Sequence, residues 1–307
     1  MEETISVPQT EEPAAQSLPE ESPQPRPKKK LYGEHYLAIL AGFLAVITLV
    51  LTLVSLPYIL AEPQEEDPEQ VIHQDPPPET PTIPEVDPDT GEKLPEPEKN
   101  PYGKLDFQYE GRYLGCIKAG TVPGIDVSYY QGDIDWKQVK ASGIEFAIIR
   151  IGYRGYGEEG KMVEDKLFHK NIKGALEAGL QVGVYFFSQA TSVEALEEAD
   201  FVLQRIRQYE FTLPVVFDWE YVNEEARTAN VDPRTLTDCY LAFCGKMEEE
   251  GYTPMPYFNS HQSRKMMYLT ELEQYPFWLA FYSDRMTYPY RIEMWQYTDS
   301  GKVPGIE

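Results

Sequence analysis

The stretch Pro214-Val215-Val216-Phe217-Asp218-Trp219-Glu220 decides how the rest of the chain is read. Val215, Val216 and Phe217 form a short apolar run of the kind that makes a strand buried on both faces. The run ends on two carboxylates, Asp218 and Glu220. Side chains two apart on a strand point the same way, with Cα atoms about 6.6 Å apart at about 3.3 Å per residue, so the acids share a face and Trp219 takes the other. Acids at the carboxyl end of a buried parallel strand stand where α/β barrels carry their chemistry. Taken alone, an Asp-x-Glu is as often a pair of carboxylates that solvate a loop. The neighbouring strands decide between the two.

Outward from that strand, apolar runs alternate with helical stripes. Strands are expected at 122–127, 146–151 and 181–187 before it, and at 255–258, 277–281 and 293–297 after it. Helices are expected at about 136–141 and from about 163 to the stop at Gly179. Thr191 and Glu194 form a capping-box signature for a third helix. Asp232-Pro233 starts a fourth, with an acid at the N-cap and proline in the first turn. A fifth is expected over 260–272. Alternating buried strands and helices imply a parallel sheet, and seven strands point to a closed (β/α) barrel. An open doubly wound sheet is the alternative, but no Gly-rich phosphate loop follows the first strand.

Asp126 ends the first strand, so a barrel would bring Asp126, Asp218 and Glu220 to one mouth. Tyr185, Phe187, Tyr257, Asn259, Trp278, Tyr282, Trp295, Gln296 and Tyr297 recur at the same strand ends. Aromatic rings and amides together suit a sugar, although about half of these aromatics are expected only to fill the barrel. Glycosidic cleavage needs a proton for the leaving oxygen and negative charge near an oxocarbenium-like centre. Three crowded acids do not all ionise easily, so one should hold its proton. Glu220, farthest along the strand and longest in reach, is the candidate acid. A metal is the rival use of clustered carboxylates. With only His169 and His261 in this region, zinc is disfavoured and an oxygen-only magnesium site stays open. No cofactor is called for.

Composition divides the chain. Residues 1–35 are polar and end in the basic cluster Arg26, Lys28, Lys29 and Lys30; residues 36–61 carry no charge. About 20 apolar residues span a bilayer, whereas a signal peptide's apolar core is shorter and nearer the start. Basic residues before the stretch and acidic ones after it predict a single-pass anchor, with the N-terminus cytoplasmic and the large domain outside the cell. Residues 62–101 hold 11 of the 26 prolines and read as an unfolded, extended spacer of at most about 120 Å.

The remainder, 102–307 with its core from about 122, reads as one globular domain. It carries 21 Lys and Arg against 31 Asp and Glu. That balance argues against nucleic acid and against docking on anionic lipid. Cys116, Cys239 and Cys244 make no disulfide framework and read as small buried hydrophobes.

Gly124-Ile125-Asp126-Val127-Ser128, Gln131-Gly132-x-Ile134-Asp135-Trp136, the run VVFDWE over 215–220 and the closing WQYTDSGKVPGI over 295–306 resemble glycoside hydrolase family 25, the lysozymes or N-acetylmuramidases. The resemblance covers about residues 122–307. It implies a flattened, TIM-like (β/α) barrel that cleaves the β-1,4 bond between N-acetylmuramic acid and N-acetylglucosamine in peptidoglycan. Glu220 matches the family's proton donor, and Asp218 the acid that assists attack by the substrate's own acetamido group. Asp126 matches the acid at the end of the first strand. The family continues past VPGI into a last strand bearing a further acid, with Asp284 and Asp299 only weak stand-ins here. The expectation is therefore a shortened chain whose barrel lacks that strand.

The function expected is a membrane-tethered peptidoglycan hydrolase, with glycan strands as partner. A catalytically impaired wall-binding module and a metal-dependent hydrolase are the alternatives.

Overall fold

The computed structural model describes residues 91–306 together with Asp67 and Val86. Among them no helix is long and apolar enough to cross a membrane. The stretch 36–61, on which the anchor rests, lies outside the described residues.

A hairpin of β1 (Phe107–Glu110) and β2 (Tyr113–Cys116) comes first, followed by β3 (Gly124–Val127) and α1 (Trp136–Ala141). Then come β4 (Phe146–Arg154), β5 (Met162–Glu164), α2 (Phe168–Glu177), β6 (Gln181–Ser188), α3 (Glu194–Ile206) and β7 (Val215–Trp219). The domain closes with α4 (Pro233–Glu249), β8 (Pro254–Asn259), α5 (Ser260–Lys265), β9 (Trp278–Ala280) and β10 (Met294–Gln296). All seven strands expected of the sheet form. They pair in parallel in the order β10-β9-β8-β7-β6-β4-β3.

Among the described residues β3 and β10 share no ladder, so the sheet is a curled half-barrel. It curls far enough for Gln296 Nε2 to reach Asp126 Oδ2 at 3.0 Å, tying its last strand to its first. The hairpin, which the sequence did not announce, packs beside this open side. Phe107 meets Trp295 edge-on at 4.9 Å, and Tyr113 hydrogen-bonds Ser142 at 2.9 Å. Its two-residue turn needs a left-handed first residue, supplied by Gly111 at φ 67°.

The alternation inside β7 sets the two layers. Val215, Phe217 and Trp219 point outward into the large core shared with the helices, whereas Val216 joins Ile148, Tyr185, Met255 and Trp278 inside the curl. Trp219 is fully buried, and its indole N–H donates to Ala190 O at 2.9 Å. Asp232 caps α4 as expected, accepting from the amides of Arg234 and Thr235. All three cysteines are free and buried.

Three local expectations are corrected. The helix expected from about 163 begins at Phe168, because residues 162–164 instead pair antiparallel with β4. Asp165 then turns the chain, accepting from the Leu167 amide at 2.9 Å. Half of the box at Thr191 forms: Glu194 accepts from the Thr191 amide and hydroxyl, but no side chain caps α3. Finally, the far end of the segment read as an unfolded spacer is pinned to the domain by its main chain. Lys99 bridges to Tyr290, and the Asn100 amide donates to Pro289 O at 2.8 Å.

Candidate active site

The curled sheet places Asp126, Asp218 and Glu220 on one cavity of about 900 Å³. Asp218 stands on β7 two residues beyond the inward Val216, and Glu220 follows directly after that strand. Both are nearly buried, 5% and 8% exposed. Two buried glutamines hold the backbone that carries them. Gln189 Nε2 donates to Glu220 O at 2.6 Å, while Gln262 Nε2 donates to Trp219 O at 2.8 Å. Thr228 in turn donates to Gln189 Oε1 at 2.9 Å. Buried polar side chains of this kind are kept in place by complete pairing. Neither glutamine stands out in the sequence, since each only follows an apolar strand.

Asp126 is half-buried on the cavity wall. Burial is the main cause that raises its pKa, and the hydrogen bond from Gln296 opposes the rise. The expected crowding of three acids is therefore not what perturbs this group; desolvation is. Gln296 also accepts from Tyr257 at 3.1 Å and from Tyr282 at 3.2 Å, forming a fan of bonds across the groove. Burial first, then the charges of Glu220 and Asp218, push the Tyr257 hydroxyl well above its usual range. Tyr282, on the rim, is raised by partial burial and then by Glu220 and Asp126. Both phenols are thus donors at neutral pH.

Of the other residues expected at the site, Tyr185, Tyr257, Trp278, Tyr282, Trp295, Gln296 and Tyr297 line the cavity. Tyr185 and Trp278 also pack edge-on at 6.5 Å, so they serve wall and core together. Trp295 is fixed by its indole N–H on Phe281 O at 2.7 Å. Two assignments are corrected. Phe187 is fully buried with Tyr153, Val222 and Ala226. Asn259 is spent as the N-cap of α5, accepting from the amides of His261 and Gln262. Tyr109, Arg112 and Tyr113 of the hairpin join the cavity wall without having been foreseen. Among the described residues no three acid, histidine or cysteine side chains are grouped to hold a metal ion.

Comparison with known proteins agrees with this geometry. The model of glycosyl hydrolases family 25 matches residues 125–306, more than half of the chain. Lysozyme M1 of Streptomyces globisporus is 27% identical over 208 residues, covering 64% of this chain and 68% of its own. The modular autolysin LytC of Streptococcus pneumoniae, solved in complex with a synthetic peptidoglycan ligand, is 29% identical with a TM-score of 0.52. The likeness covers 62% of this chain and 46% of LytC, so this chain spans less than half of that autolysin. A family 25 glycosyl hydrolase of Bacillus anthracis shares the fold, with a TM-score of 0.52 at 23% identity over 65% of this chain and 86% of its own. With strand-end acids on one groove and a family match over the whole parallel sheet, this chain belongs to glycosyl hydrolases family 25 and is a glycosidase.

Proposed function

We propose that the protein hydrolyses peptidoglycan at the β-1,4 bond from N-acetylmuramic acid to N-acetylglucosamine. The observation that carries this reading is that Asp126, Asp218 and Glu220 line one sugar-sized groove together with Tyr185, Tyr257 and Trp278. Glu220 donates a proton to the glycosidic oxygen as the bond from the anomeric carbon breaks. The substrate's acetamido oxygen closes on that carbon, and Asp218 orients and stabilises the positively charged ring so formed. Ionised Glu220 then takes a proton from water, which opens the ring and restores the acid. Asp126, held by Gln296, supplies negative charge from the same groove.

Borohydride labelling of the sugar ends released from purified peptidoglycan tests the bond assignment. Labelled muramic acid is expected, and labelled glucosamine would overturn it.

The protein acts from the membrane in this reading, held by residues 36–61 with the groove outside the cell. Support comes from the uncharged stretch with its basic flank and the proline-rich spacer after it.

A further inference from the structure

A buried ion cluster on the inward face of the sheet, beside the groove, has no part in this chemistry. Arg150 on β4 lies in register with Tyr185, so both side chains take the inward face. The next inward row carries Tyr153, Phe187 and Asp218. The Arg150 guanidinium is fully buried. Its Nε donates to Asp165 Oδ2 at 2.9 Å, and the same oxygen accepts the Tyr129 amide at 2.9 Å. The rings of Tyr129, Tyr130 and Tyr153 stand 5.2, 5.3 and 5.3 Å from the guanidinium carbon. Tyr130 itself lines the groove.

The two terminal nitrogens meet a carboxylate from far away in the chain. Nη1 donates to Asp67 Oδ1 at 3.1 Å and Nη2 to Asp67 Oδ2 at 2.7 Å. Asp67 is 4% exposed and lies 83 residues before Arg150, in the Pro/Glu-rich segment. A pair needed only for folding is already present in Asp165, on the neighbouring turn. A second buried carboxylate on the same guanidinium adds desolvation cost that the shared charge offsets only in part. What the contact does show is a buried planar fork on the inward face of the sheet, against Tyr130 of the groove lining, that matches a carboxylate in two-point geometry.

We infer that the terminal nitrogens of Arg150 form a carboxylate-binding position behind the groove residues Tyr130 and Tyr185, which Asp67 fills as an internal stand-in for an acidic substituent of the glycan. The inference rests on the groove being a site for wall glycan. Asp67 then competes with substrate, because only the fraction of molecules with the position vacated binds the acidic group. Two wall carboxylates share this chemistry: the lactyl group of stem-free muramic acid, and the acids of the peptide stem.

Calorimetric titration of the full chain and its Asp67→Asn variant tests this. The probes are N-acetylmuramic acid, muramyl dipeptide and N-acetylglucosamine. The variant is expected to bind the first or the second about tenfold more tightly, and the one that tightens identifies the carboxylate's source. N-acetylglucosamine, which has no carboxylate, should bind both chains equally. Equal affinities for all three probes, with or without a loss of thermal stability, would overturn the inference. So would an equal gain for N-acetylglucosamine.

Deuterium uptake in the unsubstituted chain gives a second reading. The peptide containing Asp67 should exchange faster with saturating acidic probe and not with N-acetylglucosamine; no difference between probes would count against the position. Both measurements read binding, so a chain that cleaves nothing can still show the pattern. A hydrolase that lacks the pattern defeats only this inference.

Discussion

Gln296 ties the two walls of the groove together, and its single hydrogen bond to Asp126 has a readable consequence. A donor to a carboxylate favours the ionised form. Replacing Gln296 by leucine removes that donor, so the already raised Asp126 pKa should climb further. A smaller fraction of Asp126 is then ionised at any mildly acidic pH. The acid limb of the pH–activity profile should therefore move to higher pH, while an unmoved limb would show that Asp126 has no part in turnover. Asp126, Asp218 and Glu220 were legible in the sequence because acids that terminate apolar runs are conspicuous. Phe187 and Asn259 were not separable from groove residues, since the same strand ends also carry core filling and helix caps. Arg150 was invisible as a site residue. Its role lies in a contact with Asp67 that no local pattern encodes.

At the scale of elements, the close approach of β6 to β7 is set by Gly183. A Cβ there would stand 2.7 Å from Ile148 Cδ1 and 2.8 Å from the Pro214 carbonyl oxygen. Backbone does not yield as a side-chain tip does, so Gly183→Ala should cost about 1–3 kcal/mol. A fall in thermal midpoint would show it, and an unchanged midpoint would mean that the strands are free to separate. The seven parallel strands were readable because each is an apolar run bounded by turn residues. The hairpin was not, being short and polar on one side, with all three of its β1 residues beyond Phe107 exposed. The strand at 162–164 was lost because the helix was started at about Val163, although its stripe of Phe168, Ile172 and Ala175 begins only at Phe168.

The whole molecule combines an acidic chain, with 51 Asp and Glu against 27 Lys and Arg, and a groove whose chemistry depends on keeping carboxylates partly desolvated. The uncharged run before the spacer should hold the full chain in the membrane fraction through an alkaline wash. Recovery in the supernatant would refute the anchor. The strand count pointed to a closed barrel and only the family resemblance implied a missing strand; among the described residues the sheet is open between its first and last strands. The side-chain bridge that draws it nearly closed was not legible in the sequence, because it depends on curvature rather than pattern.

The central claim is that Glu220 delivers the proton that breaks the glycan. It is tested most directly by comparing Glu220→Gln with the unsubstituted chain on purified peptidoglycan, reading reducing-end release and glycan binding side by side. The account predicts a loss of turnover of at least about 100-fold with binding changed less than about threefold, since only the transferable proton is removed. Near-normal release by the variant would contradict it.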